Sequence, residues 1–188
     1  QAVGAAFALK RNGEKAVVYV SSGEGTTSQG DFHEALNWAS IEKAPVIFHI
    51  ENNGYAISVP ISEQTAGGSV YNITAGYDSL KRFSVDGTDY FESKLAFEKA
   101  VDRARKGKGP SIIISDVVRL FPHSSSDDHK KYRDEFELKT ELDKDPLLVF
   151  EKKCIESGIA KPEDFETKRN NIKKQINNET ELIEQLDI

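Results

Sequence analysis

The sequence lacks several features, and each absence excludes a kind of protein. Cys154 is the only cysteine, so no disulfide can form within the chain, and a reducing compartment is expected. No apolar run approaches the roughly 20 residues of a membrane-spanning helix, so we expect no membrane partner. Positive charge is not in excess, because the formal net charge is −6, and this argues against nucleic acid as a partner.

Methionine is absent, and the chain does not open like a secreted protein. The first residues, QAVGAAFALK, have no basic region followed by a long apolar core, so they are not a signal peptide. They look like the middle of a helix, and we therefore expect the chain to be a piece of a longer protein. Its 188 residues, 38% hydrophobic and 30% charged, suffice for one soluble globular domain with a sizeable core.

Short apolar strands alternate with helical patterns along the chain. Residues 16–20 are nearly all apolar, which is typical of a strand covered on both faces. Ser28 and Asp31 predict the cap of the second helix, and Asp89 predicts the cap of the third. Alternating strands and helices predict the α/β class, with a mainly parallel sheet flanked by helices. The predicted strands cover residues 16–20, 46–50, 83–87 and 111–118, and the predicted helices cover 2–10, 30–42, 90–106, a segment from Asp145-Pro146, and 162–188.

Two polar turns close the first two predicted strands and have matching chemistry. Gly23-Glu24-Gly25 follows the first strand, and Asn52-Asn53-Gly54 follows the second. Both turns lie at the same edge of a parallel sheet, where ligands of open α/β folds bind. The carboxylate of Glu24 and the amide oxygen of Asn53 suit Mg²⁺ or Ca²⁺, and glycines let backbone amides approach a phosphate. A divalent metal that holds a diphosphate is the first hypothesis, and a plain turn is the alternative for each motif alone.

His123 lies on the polar segment 119–133, directly after a predicted strand. From the residues alone, a solvated loop histidine is the simpler interpretation, and an active-site histidine is the alternative. Arg119 begins the same segment. Three roles are open for it: bracing the loop, meeting negative charge, or forming an ordinary surface salt bridge. His33 and His49 are expected to be packed or supporting residues.

A family resemblance covers roughly residues 1–133. The Gly-acid-Gly turn followed by Asn-Asn resembles the thiamine-diphosphate motif. Around it, the chain resembles the α subunit of the E1 component of 2-oxoacid dehydrogenases. Five segments carry that resemblance in order: GDFHEALNWAS, APVIF, NNGYAIS, VDGTDYF and RLFPHSSSDDHKKYR. The resemblance implies the thiamine-diphosphate-binding fold, here truncated at its N-terminus.

The resemblance also implies a set of site residues. Magnesium would be bound by Glu24, Asn53 and the backbone oxygen of Tyr55, and His123 would be the catalytic residue near the cofactor and the substrate. Relatives often have a second histidine where Pro122 stands. Glu24 replaces the usual aspartate, as it does in branched-chain members of the family. The implied cofactor-binding residues are Gly23, Glu24, Gly25, Thr26, Asn53, Tyr55 and His123.

The implied activity is that of a 2-oxoacid dehydrogenase E1 α part, most closely the branched-chain, 2-oxoisovalerate (3-methyl-2-oxobutanoate) type. Such a protein decarboxylates a 2-oxoacid oxidatively and transfers the acyl group to lipoyllysine of an E2 acyltransferase. The implied partners are an E1 β subunit or a fused β domain, in an α₂β₂ assembly or a fused dimer. Residues 1–145 would form the diphosphate-binding domain, and the helical segment 146–188 would pack on it or lead to the β part. The expected location is the cytoplasm or, alternatively, the mitochondrial matrix.

Three alternatives remain open at this stage. An E1 α of pyruvate or acetoin dehydrogenase would share every motif used above. A non-catalytic assembly module would have the fold without metal-dependent cofactor affinity. A nucleotide binder of the P-loop type is disfavoured, because the sequence contains no GxxxxGK[ST] motif.

Overall fold

The computed structural model describes residues 1–186, so the last two residues of the final predicted helix lie outside the described part. Two compact units make up the chain, the first spanning Gln1–Pro146 and the second beginning at Leu147. Among the described residues, no helix is long and apolar enough to cross a bilayer. The packing of segment 146–188 on the first domain, or its connection to a β part, stays a prediction.

The first unit alternates strands and helices as the sequence predicts. Short 3₁₀ turns at Glu24–Ser28, Ala66–Gly68 and His129–Lys131 connect some of the elements. In chain order the elements are α1 (Ala2–Arg11), β1 (Val18–Gly23), α2 (Gly30–Ile41), β2 (Val46–Asn52), β3 (Tyr55–Ala56), β4 (Val59–Pro60), α3 (Ile61–Gln64), α4 (Val70–Ile73), β5 (Lys81–Asp86), α5 (Tyr90–Arg105), β6 (Ser111–Asp116) and α6 (Glu135–Leu142).

A four-stranded parallel sheet organises this unit, in the order β1-β2-β6-β5. Apolar residues of α1 and α2, including Val3 and Leu36, are buried in a cluster on one face of the sheet, and Ala96 and Ala100 of α5 are buried in a second cluster. The central strands β2 and β6 are the most buried, as expected for strands covered on both faces. The predicted α/β class with a parallel sheet is confirmed.

The prediction for the first strand was wrong in position and in burial. It runs from Val18 to Gly23 rather than over residues 16–20, and its residues alternate between half-buried and exposed. The reason is that β1 lies at the edge of the described sheet, with a neighbour on one side only. Tyr19 is therefore 54% exposed, although the run of apolar letters predicted full burial.

Helix caps and loops gave mixed results. Asp89 caps α5 as predicted, accepting hydrogen bonds from the amides of Phe91 and Glu92. The cap position of α2 is Gln29, which makes no side-chain cap bond, so the predicted Ser28/Asp31 cap was wrong. The segment that follows the Asn52-Asn53-Gly54 turn, for which no strand or helix was predicted, contains the β3–β4 hairpin and helix α3. Helix α6 was missed altogether, because its apolar residues follow no clear helical period.

The second unit contains α8 (Pro162–Glu184) and all of α7 (Pro146–Glu156) except its first residue. The rings of Phe150 and Phe165 meet edge to face with centroids 6.3 Å apart. Arg169 of α8 forms an ion pair with Glu151 of α7. These contacts join the two helices as a pair, with Cys154 buried and its thiol free.

Candidate functional site

Glu24 is the buried carboxylate at the end of β1. Glu24 is only 1% exposed, and its Oε2 accepts a hydrogen bond of 3.2 Å from the amide of Asn53. The parallel register explains this contact, because Gly23 lies beside Glu51 and the two strands therefore end side by side. The structure thus brings together the two turns that the sequence paired by their chemistry.

The two neighbouring asparagines have different environments. The side-chain oxygen of Asn53 accepts a hydrogen bond of 3.1 Å from the amide of Tyr55, and the backbone amide of Asn53 donates to the Glu24 carboxylate. Asn52 instead donates from its side-chain nitrogen to Asp116 at 2.7 Å, and its oxygen accepts from the amide of Gly54 at 3.3 Å. Asn52 is therefore a structural residue of the strand end, and Asn53 is the one positioned beside the carboxylate.

The electrostatics of Glu24 indicate a site for a cation. Burial raises the pKa of its carboxyl group, while the amides of Glu24, Asn53 and Tyr55 and the charge of Arg119 act in the opposite direction. Its Oε1 is buried without a hydrogen-bond partner among the described residues. A buried carboxylate oxygen left in this state is costly, and a bound cation would satisfy it.

The set of available ligands limits which cation fits. Among residues 1–186, no three His, Cys, Asp or Glu side chains come together as a metal site. A cation beside Glu24 would therefore depend on one carboxylate together with amide, backbone or ligand oxygens. Oxygen-only ligands of this kind suit Mg²⁺ or Ca²⁺ rather than zinc. The residues present fit the metal that the sequence predicts.

Gly25 lies where a side chain has no room. A Cβ built on it would lie 2.9 Å from the Cβ of Ala56, whereas a Cβ on Gly23 would meet only the backbone oxygen of Glu51 at 4.0 Å. Glycine at position 25 therefore lets the 3₁₀ turn that begins with Glu24 lie against the β3–β4 hairpin. Position 23 does not need glycine for space. The prediction treated the two glycines alike, and their contacts separate them.

Gln64 is a site residue that the sequence reasoning missed. Its side-chain nitrogen lies 3.1 Å from the backbone oxygen of Glu24, 2.9 Å from that of Gly25 and 2.9 Å from the hydroxyl of Ser28. It holds the turn around Glu24 from the side of helix α3. A single glutamine downstream of a loop carries no pattern that indicates such a role.

Thr26 belongs to the same turn but faces a different space. A cleft of about 770 Å³ runs along β1, and Ser22, Thr26, Gln29 and Phe32 are among the residues that line it. Of the predicted site residues, Thr26 alone lines this cleft. The other predicted site residues therefore lie outside this cleft.

Arg119 braces the loop that carries His123. Its guanidinium lies 5.5 Å from the centre of the Tyr55 ring and donates hydrogen bonds of 2.7 Å to the backbone oxygen of Ile57 and to the hydroxyl of Tyr132. Of the roles left open by the sequence, bracing the loop is the one that these contacts support.

His123 is exposed and makes no contact with Glu24. Its amide donates to Asp127 at 2.9 Å, and the hydroxyl of Tyr132 donates to the same carboxylate oxygen at 2.7 Å. Both hydrogen bonds hold the pKa of Asp127 below its usual value, and the bond from Tyr132 has the larger effect. Tyr132 therefore connects the His123 loop to Arg119, which in turn contacts Tyr55.

Helix α6 anchors this loop through a buried arginine. Arg133 is 3% exposed. Its guanidinium forms ion pairs with the carboxylates of Glu137, at 2.8 Å, and Glu141, at 2.6 Å. The contact with Glu137 is also a hydrogen bond. Arg133 also donates to the backbone oxygen of Arg119 at 3.0 Å, and Tyr55 donates to Glu137 at 3.0 Å. The segment predicted as a polar loop thus ends in a buried ion-pair cluster.

The two upstream histidines are packed, as predicted. The ring nitrogens of His49 lie 2.9 Å from the hydroxyls of Tyr19 and Ser115, and burial lowers the pKa of this imidazole. His33 lies 3.3 Å from the hydroxyl of Tyr77. Both side chains therefore have a role in packing.

Comparisons with known proteins identify the family of the chain. The family described as dehydrogenase E1 component matches residues 1–187. The 2-oxoisovalerate dehydrogenase subunit alpha of Bacillus subtilis is 39% identical over 97% of this chain and 55% of its own length. The 3-methyl-2-oxobutanoate dehydrogenase subunit alpha of Mycobacterium tuberculosis is 40% identical over 84% of this chain and 43% of its own length. The pyruvate dehydrogenase E1 component subunit alpha of Staphylococcus aureus is 42% identical over 85% of this chain and 43% of its own length.

The relatives and the family model cover different shares of their own length and of this chain. The chain spans about half the length of the curated relatives it matches. The family match, by contrast, covers nearly all of this chain, including the turns at Glu24 and Asn53 and the loop at His123. The chain therefore belongs to the dehydrogenase E1 component family.

Proposed function

We propose that this chain is the α part of the E1 component of a 2-oxoacid dehydrogenase complex and that it binds thiamine diphosphate with Mg²⁺. The observation that carries the proposal is the buried carboxylate of Glu24. Its Oε1 is unsatisfied, and its other oxygen is held by the turn that contains Asn53. This arrangement is costly in the chain alone and becomes favourable when a divalent cation is bound.

The proposed metal ligands are Glu24, the side-chain oxygen of Asn53 and the backbone oxygen of Tyr55. Oxygens of the diphosphate and of water would complete the octahedral set that Mg²⁺ prefers. The backbone at Gly25 and Thr26 would approach the diphosphate, because position 25 carries no Cβ. The amides at the start of α2 would add favourable charge for the phosphates.

Thiamine diphosphate supplies the carbanion chemistry needed to decarboxylate a 2-oxoacid. The chain's own residues bind and orient the reactants. We assign His123 to the substrate side of the site, where its exposed imidazole would hold or move a proton at the substrate. The contacts of Arg119 with Tyr55 and Tyr132 would keep the His123 loop in one place during turnover.

The proposed substrate is a branched-chain 2-oxoacid of the 3-methyl-2-oxobutanoate type. Glutamate at position 24 and the similarity to branched-chain α subunits support it. Similarity of the same size to a pyruvate dehydrogenase α subunit makes pyruvate the direct competitor. The proposal includes an E1 β partner or fused β domain, an E2 lipoyl acyltransferase that accepts the acyl group, and a location in the cytoplasm or the mitochondrial matrix.

Calorimetry tests the site. The chain, assembled with its β partner, is titrated with thiamine diphosphate with and without Mg²⁺, for wild type, Asn53→Ala and Asn52→Ala. We expect Mg²⁺-dependent binding that Asn53→Ala abolishes and that Asn52→Ala retains, because Asn52 bonds only to structural partners. Absence of binding by the assembled wild type would refute the cofactor assignment and favour a non-catalytic assembly module. Comparing kcat/KM for 3-methyl-2-oxobutanoate and pyruvate in the same assembly then decides the substrate.

A further inference from the structure

Helix α8 carries a stripe of half-exposed apolar residues along one side. Helix α7 has 11 residues and α8 has 23. Phe165 and Arg169, in the first half of α8, contact Phe150 and Glu151 of α7. At helical spacing, Ile172, Ile176 and Ile183 extend the same stripe, and they are 49%, 59% and 57% exposed.

The charges of α8 are divided along its length. Its middle, residues 167–175, contains only basic charges, and its last part, residues 176–184, contains only acidic ones. Acidic residues near a helix C-terminus oppose the macrodipole, so this arrangement does not favour an isolated helix. Two copies of α8 that run in opposite directions would place the acidic part of each beside the basic part of the other. The basic residues are Lys168, Arg169, Lys173 and Lys174, and the acidic ones are Glu179, Glu181 and Glu184.

The positions of four charged residues beside the stripe distinguish a parallel pair of α8 helices from an antiparallel pair. On a helical projection, Lys173 and Glu184 lie along one flank of the stripe, and Lys168 and Glu179 lie along the other. In a parallel pair, residues five apart on opposite flanks meet, so Lys168 would face Lys173 and Glu179 would face Glu184. In an antiparallel pair, the same flanks meet, and Lys173 of each copy lies next to Glu184 of the other. Charge therefore opposes the parallel pair and favours the antiparallel one.

We propose that α8 pairs antiparallel with α8 of a second copy of this chain. Ile176 lies near the two-fold axis, and Ile172 of one copy lies opposite Ile183 of the other. The contact is isologous, so it closes as a dimer. The shared stripe is roughly 20 Å long at about 1.5 Å per residue, which gives a small interface and an association in the micromolar range. This pairing does not depend on the proposed cofactor.

Sedimentation equilibrium of the 188-residue chain between about 1 and 300 µM tests the pairing. We expect a monomer–dimer equilibrium, with a Kd at least tenfold higher for Ile176→Glu. Asn178→Glu is the matched control, because it adds the same charge on the opposite face and should leave the Kd within twofold. Circular dichroism verifies that both variants keep the helix content of the wild type. A wild type that stays monomeric over this range, or a control that weakens the dimer as much as Ile176→Glu, overturns the proposal.

Charge exchange tests the direction of the pair. Lys173→Glu and Glu184→Lys should each raise the Kd about three- to tenfold at low salt, and the chain that carries both changes should recover most of the wild-type affinity. In a parallel pair, Lys173→Glu would replace a repulsive contact with Lys168 by an attractive one. Tighter association of Lys173→Glu than of the wild type would therefore refute the antiparallel arrangement.

Discussion

At the scale of single residues, we expect Glu24 to lower the stability of the metal-free chain and to favour the proposed metal binding. Burial raises its pKa in the folded chain without metal. Between its unfolded and folded pKa values, the folded state keeps a proton that the unfolded state has released. The free energy of unfolding therefore falls as the pH rises through this interval, and it stays reduced at neutral pH. A cost of this kind in the metal-free fold supports the proposed role of Glu24 as a metal ligand.

Glu24→Gln should raise the thermal stability of the metal-free chain at pH 7 by a few degrees, because the cost of a buried unsatisfied carboxylate, about 1–3 kcal/mol, is removed. The difference should vanish below the ordinary glutamate pKa of 4.5, where both states are protonated. Melting curves at several pH values between 4 and 8 measure it. Glu51→Gln is the control, since the Glu51 side chain is 53% exposed, and its melting temperature should stay near that of wild type. A destabilised Glu24→Gln at pH 7 would contradict the expectation.

Gly25 is the second residue whose role depends on space. Gly25→Ala should lower the free energy of unfolding by about 1–3 kcal/mol, because the new methyl group would lie 2.9 Å from the Cβ of Ala56. Gly23→Ala places its methyl group no closer than 4.0 Å to another residue and should change stability little. Urea denaturation of both variants measures the difference. Equal losses would show that the turn, rather than the contact with the hairpin, is what requires glycine.

At the scale of elements, α6 and the His123 loop form one cooperative structure. Arg133→Met should cost about 3–5 kcal/mol, because it leaves the carboxylates of Glu137 and Glu141 without their buried partner. Hydrogen exchange should then show faster opening of residues 119–142, while β2 and β6 keep their protection. Lys139→Met, which removes an exposed pair with Glu135, is the control and should stay within ~0.5 kcal/mol of wild type. Uniform loss of protection across the sheet would argue against a local role.

At the scale of the whole molecule, we expect the site to be incomplete within this chain. Glu24, Asn53 and Tyr55 meet at the edge of the sheet, His123 lies on a separate braced loop, and the cleft along β1 contains only Thr26 of the predicted set. We expect the chain alone to release no CO₂ from 3-methyl-2-oxobutanoate with thiamine diphosphate and Mg²⁺, and the β partner to restore turnover. A CO₂-release assay with and without the partner measures this. Turnover by the chain alone would refute the proposed division of the site between two parts.

The sequence by itself determined the α/β class, the four parallel strands and the meeting of Glu24 with Asn53, because strand ends in a parallel sheet share one edge. It did not determine that β1 is an edge strand, because the apolar letters of a strand are the same with one neighbour or two. Tertiary structure alone decided the role of Gln64, the different needs of Gly23 and Gly25, and the burial of Arg133. Gly25 depends on Ala56 and Gln64 depends on Glu24, both distant in sequence, and short-range sequence patterns do not indicate such contacts. The burial of Arg133 depends on how helix α6 and the backbone of Arg119 pack around it.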